Sequence, residues 1–425
     1  MKLLLVLLFA TVYAKHEEYS GWKSFYIKPS SHDQLKDLGN LISKLELDFY
    51  IHPSLDREGV VLVKPQYQDD FVKFVNEENM KYWIHADDVK IQLDKDDLMM
   101  ESFQQEARFS KSSSFNYDKY HTLDVIYEYL DSVAQKHSDT VKLVTPATSY
   151  EGRTLKYLKI SKDNFQSGKP VIFIDGATHA REWITIPTVT YAIHKLVENV
   201  TEPDLLDKFD WILYPVVNPD GYEHTHVKER MWRKTRSTDQ HVAGKICRGV
   251  DINRNFDFEW NTVGTESHPC SDIFPGRKPF SEVETRVVRS IFNEHHQNMI
   301  LYLSVHSFGS MFLYPWSNNG SLSDRGLQLH MVGIRMADAI HELSLKHFPR
   351  YRVGNTALVI DYFSSGSSSD YAHSIGVPLS YTVELPGRGS KGFVLHPRYI
   401  KPVVTETWAG FAAGARMAGQ LFGSR

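Results

Sequence analysis

Four stretches of this chain are apolar almost without a break: VIFI at 171–174, WILYPVV at 211–217, MILYLSV at 299–305 and PLSYTV at 378–383. A strand with one wet face alternates apolar and polar residues, whereas a run that is apolar throughout buries both faces. Between and around these runs lie segments with helical spacing, at 121–139, 185–200, 281–296, about 324–347 and about 403–421. Apolar strands alternating with helices imply an α/β domain: a mostly parallel mixed sheet with helices on both faces. The helix at 281–296 opens with Ser281 and Glu284, the spacing of a capping box.

The front of the chain reads differently. WKSFYIKP (22–29), LDFYIHP (47–53) and GVVLVKP (59–65) are strands, and YWIHADDVKIQLD (82–94) reads as a fourth. HDQLKDLGNLISKL (32–45) and YQDDFVKFVNEEN (67–79) are amphipathic helices. The order β-α-β-β-α-β is that of a small ferredoxin-like α+β domain. ESFQQEARFSKSSS (101–114) follows as a linker or exposed helix end, with Arg108 and Lys111 open to a trypsin-like protease. The first 14 residues, MKLLLVLLFATVYA, have the form of a secretory signal peptide, too short to span a bilayer. The expected division is therefore 1–14, 15–108 and 109–425, in a secreted, extracellular protein.

Neither nucleic acid nor a membrane is an expected partner, because 425 residues carry a net charge of only −4 and no later apolar run is long enough to span. Two cysteines occur, Cys247 and Cys270. Outside the reducing cytosol their natural state is one disulfide, worth roughly 3 kcal/mol by loop closure, with two buried free thiols as the alternative.

Chemistry gathers where the apolar runs end. In open α/β sheets, ligands bind at the carboxyl ends of the strands. After VIFIDG come His179 and Glu182, three apart, so on one helical turn both side chains reach one point. MILYLSVHS delivers His306, which completes an open two-His, one-Glu set for one zinc ion. PLSYTVELP delivers Glu384, costly to bury without a partner; water at such a metal is one, and makes the carboxylate a general base. MWRKTRS (231–237) brings Arg233, suited to an oxyanion. GVDINRNFD (249–257) brings Asn253 and Arg254, an amide and a guanidinium fork suited to a carboxylate. GRGSKG (387–392) fits a dinucleotide fingerprint in letters only, since Pro397 follows and no helix opens after it.

The stretches THAREW, NPDGY, MWRKTRS, DINRNFD, SVHSFG, SSGSSSDY and TVELP, in this order, resemble the secreted zinc metallocarboxypeptidases of the pancreatic A/B family, here with an activation domain in front. The resemblance implies His179, Glu182 and His306 as ligands of one Zn²⁺, Glu384 as base and Arg233 as the group that polarises the scissile carbonyl. It implies that Asn253, Arg254 and Tyr362 grip the substrate's free C-terminal carboxylate, and that Arg181, Ser307 and Phe308 line outer subsites. Phe308 stands where a Tyr is common. Peptide and protein C-termini are the implied substrates, a trypsin-like protease the implied activator, with Arg108–Phe109 the expected activation bond, and a monomer the implied state. Ser369 falls at the base of the pocket for the terminal side chain. It is small and uncharged, so A-type cleavage of apolar or aromatic ends is expected, with B-type cleavage of Lys or Arg as the alternative. Asp361, out of the family's pattern beside Tyr362, supplies the needed charge only if it enters that pocket. A non-catalytic relative that binds peptide ends is the remaining alternative, and the intact ligands and base argue against it.

Overall fold

The computed structural model describes residues 15–42, 44–55, 57–108, 115–238, 241–242, 245–387 and 392–423. The signal-peptide segment, Lys111 and most of GRGSKG lie outside these residues.

The front unit runs β1 (Lys23–Lys28), α1 (His32–Leu41), β2 (Asp48–Ile51), β3 (Gly59–Val63), α2 (Gln68–Glu77) and β4 (Lys81–Ala86). Its antiparallel sheet has the order β2-β3-β1-β4, as the ferredoxin-like reading expects. Phe25, Ile27, Val61 and Val63 from the sheet pack on Leu38, Phe71 and Val75 from the two helices. Ser31 caps α1 by accepting from the Gln34 amide at 3.2 Å.

The expected strand at 82–94 is a strand only to Ala86; from Val89 the chain is helix α3 (Val89–Arg108). The reason is visible in the residues. Val89, Leu93, Asp96 and Met100 are buried at helical spacing, and Asp88 accepts from the Ile91 amide at the helix start. The expected linker thus begins as helix and reaches Arg108, and residues 109–114 lie outside the described set. Val89, Leu93 and Met100 belong to the large domain's core cluster, so α3 packs the two units together.

The large unit continues α4 (Leu123–Lys136), β5 (Val141–Val144), β6 (Tyr157–Ile160), β7 (Val171–Gly176), α5 (Thr185–Val197), α6 (Asp204–Lys208), β8 (Asp210–Tyr214) and α7 (Pro219–Val227). Then come β9 (His241–Val242), β10 (Lys245–Ile246), α8 (Val283–His295), β11 (Met299–Ser307), β12 (Met311–Tyr314), α9 (Gly326–Leu343), β13 (Arg352–Asn355), α10 (Thr356–Ile360), α11 (Ser368–Ser374), β14 (Leu379–Leu385) and α12 (Ile400–Phe422). The eight-stranded sheet has the order β13-β12-β14-β11-β7-β8-β6-β5. Its centre, β14-β11-β7-β8, is parallel, while β12 against β14 and β5-β6-β8 are antiparallel.

The central strands bury both faces, as their composition requires. Ile172 and Ile174 of β7 join the core under α5, α9 and α12, while Val171 and Phe173 face Val288, Ile291 and Phe292 of α8. The capping box expected at 281–284 is absent. The N-cap of α8 is Glu282, with no side-chain cap bond. Ser281 instead donates to Glu282 at 2.9 Å, and Glu284 is buried. Cys247 and Cys270 form the expected disulfide, with Cα atoms 4.8 Å apart, tying down the loop that carries Asn253 and Arg254.

Candidate metal centre and substrate cleft

β7 ends at Gly176, and the chain turns through 177–184 before α5 begins. His179 and Glu182 sit in that turn, not on a helix. A bond from the Glu182 amide to the His179 carbonyl, 3.2 Å, closes it, so the three-residue spacing still brings both side chains to one point. His306 is the eighth residue of β11 and Glu384 the sixth of β14. The two strands are parallel and pair His306 directly with Glu384, which puts both on one face of the sheet.

Among the described residues, His179, Glu182 and His306 are the set whose donor atoms converge within 4.8 Å, and all three are buried. His179 Nδ1 lies 2.8 Å from Glu182 Oε1, and His306 Nδ1 lies 3.0 Å from Glu182 Oε2. The two Nδ1 atoms face each other at 3.1 Å. Two imidazole lone pairs and a carboxylate aimed at one buried point repel unless positive charge lies there. Burial pulls His306 down, yet the Glu182 carboxylate outweighs it and holds the ring above its usual value. Burial likewise pushes Glu182 up, but His179 and His306 hold it well below the carboxylate range. The donor set fits one zinc ion with an open position.

Around this point the other expected residues assemble. Arg233 donates Nε and Nη2 to Asp251 Oδ2 at 3.1 and 2.8 Å, and the other oxygen of Asp251 meets His179 Nε2 at 3.0 Å. Nothing in the local sequence marks Asp251; its place between Arg233 and His179 is a tertiary fact. Burial pushes the Asp251 carboxyl up, but Arg233 and His179 overcome it and keep the group ionised. Arg254 is fixed by Nε to the Gly264 carbonyl (2.8 Å) and Nη1 to the Asn253 carbonyl (3.0 Å). Asn253 accepts from the Ser368 amide at 2.9 Å, and Tyr362 donates to the Gly264 carbonyl at 3.2 Å. Ser307 donates its backbone N–H to Glu182 at 3.2 Å, while Phe308 sets its ring edge-on to Phe393, 5.0 Å between centroids. Glu384 is half-buried on the cleft wall; desolvation, then the Glu182 charge, push it up to about 7.

Ser369 does not line the open part of the cleft. It is buried, with its hydroxyl 3.0 Å from that of Thr382, and Ser317, Ser367 and Thr382 form the wall, together with Leu313, Thr356 and Ile360. Asp361 does not enter. It takes a left-handed conformation (φ 60°) at the end of α10, and its carboxylate faces His32 of the front unit at 3.8 Å.

The front unit closes the cleft from above. Arg181 is held by Asp48 at 3.2 Å and lies 4.6 Å over the Phe393 ring. His52 stacks on the Tyr362 ring at 4.7 Å, and Arg57 lines the same cleft. What is left open is about 180 Å³, below the size of an ordinary ligand pocket.

Comparison with known proteins agrees with this geometry. The zinc carboxypeptidase family matches residues 126–410, and the carboxypeptidase activation peptide family matches residues 25–96. The chain is 58% identical to carboxypeptidase B of Helicoverpa zea, over 99% of this chain and 100% of that one. It is 35% identical to carboxypeptidase A2 of Mus musculus, over 96% of both. The crystal structure of carboxypeptidase A from Helicoverpa armigera superposes with a TM-score of 0.90 at 41% identity, covering 96% of this chain and 100% of that one. The family matches and these likenesses run along nearly the whole length of a chain that brings His179, Glu182 and His306 to one buried point: the chain belongs to the zinc carboxypeptidase family and carries that family's activation peptide.

Proposed function

We propose that this zymogen, once cut after Arg108 by a trypsin-like protease, removes single residues from the C-termini of peptides, with neutral side chains preferred at the end. The observation that carries the exopeptidase reading is the sharing of one cleft by Arg254, Asn253 and Tyr362 with the His179/Glu182/His306 centre and Glu384. A guanidinium, an amide and a phenol aimed at one place suit a free carboxylate, and that anchor sets which peptide bond lies at the metal. Zinc, when held there, supplies Lewis-acid chemistry. The chain's own residues do the rest. Glu384 takes the proton of the attacking water and passes it to the leaving amine, and its upward shift towards 7 suits a group that both accepts and donates. Arg233, steadied by Asp251, faces the developing oxyanion. Arg181, Ser307 and Phe308 hold the residues upstream of the scissile bond. The segment 1–14 directs secretion, and the cleaved enzyme acts as a monomer.

The preference for neutral ends rests on the wall of the terminal pocket. Its hydroxyl and aliphatic residues carry no charge, Ser369 is occupied by Thr382, and Asp361 faces the front unit. A second reading, Lys or Arg at the end, is favoured by the 58% identity to a protein named carboxypeptidase B. The deciding assay treats the full chain with trypsin and offers peptides ending in Phe, Leu, Lys or Arg, with and without a zinc chelator. Chelator-sensitive release of Phe and Leu, appearing only after trypsin, is the expected result. Release of Lys and Arg alone replaces it with the second reading, and no release from folded, zinc-loaded protein ends the exopeptidase proposal.

A further inference from the structure

Both histidines turn Nδ1 towards the metal position, so each must keep its ring proton on Nε2. For His179 the partner is direct: Nε2 meets Asp251 Oδ1 at 3.0 Å. His306 has no carboxylate at that place. Its Nε2 faces the Ser304 hydroxyl at 3.1 Å, and Ser304 in turn donates to Asp175 Oδ1 at 2.9 Å. The second oxygen of Asp175 accepts from the Tyr302 hydroxyl at 2.6 Å. Asp175, Tyr302, Ser304 and His306 are each at most 1% exposed.

The direction of this chain follows from counting protons. A serine hydroxyl has one, and the Asp175 carboxylate, an acceptor on both oxygens, takes it. Ser304 can then only accept from His306, which fixes the proton on Nε2 and leaves the Nδ1 lone pair free. The sheet holds the parts in place, since Ser304 of β11 pairs in register with Asp175 of β7. We propose that Asp175, acting through Ser304, is a positioning residue that fixes the tautomer of His306 and so sets the affinity of the centre for zinc. Asp175 touches neither substrate nor metal.

The test uses the full chain and measures zinc affinity by competition with a chromophoric chelator, alongside the melting temperature of the metal-free protein. Ser304→Ala removes the acceptor, and a 10- to 100-fold loss of affinity is expected, the usual range for a ligand's outer partner. Asp175→Asn is expected to lose at least as much. Its carbonyl stays with Tyr302, its amide then donates to Ser304, and the reversed chain offers a proton to His306 where one already sits. Ser304→Thr keeps the hydroxyl and is expected to stay near wild type. Affinity within twofold of wild type in both Ser304→Ala and Asp175→Asn overturns the proposal, whatever their melting temperatures. So does a Ser304→Thr loss equal to that of Ser304→Ala when both melt as wild type does. Should Ser304→Ala fail to fold, Tyr302→Phe, which removes only the far donor, is expected to weaken zinc a few-fold, and an unchanged affinity in it overturns the proposal.

Discussion

Glu384 shows how much of a carboxyl group's character comes from its surroundings. It pairs with His306 across two parallel strands, so its distance from the metal centre is set by sheet register and not by a mobile loop. Desolvation and the nearby Glu182 charge push it up to about 7, where a carboxyl can lose and regain a proton near neutrality. Glu384→Gln keeps the shape and removes the basicity. We expect kcat to fall by about 10³-fold, KM to change little, and zinc to remain bound as read by metal analysis. Near-native kcat would remove Glu384 from its assigned part. The presence in one cleft of this residue, the three ligands, Arg233, Asn253 and Arg254 was legible in the sequence, because each closes an apolar run or sits in an ordered motif. Asp251, Ser304 and Asp175 were not. Their parts depend on hydrogen bonds between residues 72 and 129 positions apart in the chain, which no local pattern encodes.

At the scale of elements, β2 and the chain after it decide whether the cleft is open. Asp48 occupies Arg181, and His52 lies flat on Tyr362, so the front unit engages two residues assigned to substrate. His52 is half-buried in the cleft. Burial, then the positive charges of Arg254, Arg233, Arg57 and Arg181 facing it, push its pKa down to about 3. His52 is therefore neutral where it sits. Because its docked value lies below the free value of about 6.5, docking is fully supported above that pH and weakens as pH falls through it. After cleavage behind Arg108, the front unit is expected to co-elute with the enzyme at pH 8 and to separate increasingly below about pH 6. His52→Phe, which keeps the stack and cannot titrate, should flatten that dependence; an unchanged profile would show that other groups drive release. In the uncut chain, His52→Ala is expected to raise residual peptidase activity several-fold by freeing the Tyr362 ring. Activity equal to that of the uncut wild type would show that His52 does not hold Tyr362. The element that sequence reading missed, helix α3, follows from the same physics. DDVKIQLDKDDL has too few apolar residues to separate periods by eye, and burial of Val89, Leu93 and Met100 against the large domain selects the helix.

The whole molecule carries its own pH dependence. Glu284, in the first turn of α8, is 1% exposed, and burial, then Glu282, push it up to about 8. With the folded value above the unfolded one, its contribution to stability is full below about pH 4.5 and is lost as pH rises through 8. Glu284→Gln removes that linkage. Its stability, read from melting curves, is expected to fall less steeply than that of wild type between pH 7 and 9, a difference of about 1.4 kcal/mol by pH 9. Parallel curves would show that the carboxyl is not held neutral. The same residue marks a boundary of sequence reading. Ser281 and Glu284 have the spacing of a capping box, but spacing cannot tell whether a carboxylate turns back to the helix end or into the core. By itself the sequence determined the α/β sheet with its small front domain, the disulfide and the three ligands, and it marked Glu384, Arg233, Asn253 and Arg254, which line the same cleft. These follow from composition along single strands and from residues at strand ends, where short-range chemistry is enough. Only the tertiary structure decided the outward turn of Asp361, the burial of Ser369 against Thr382, the Asp251 carboxylate behind His179 and the Ser304 hydroxyl behind His306, and the closure of the cleft by Asp48 and His52. Each of those depends on which face of one element meets another, and that is set by packing over the whole core.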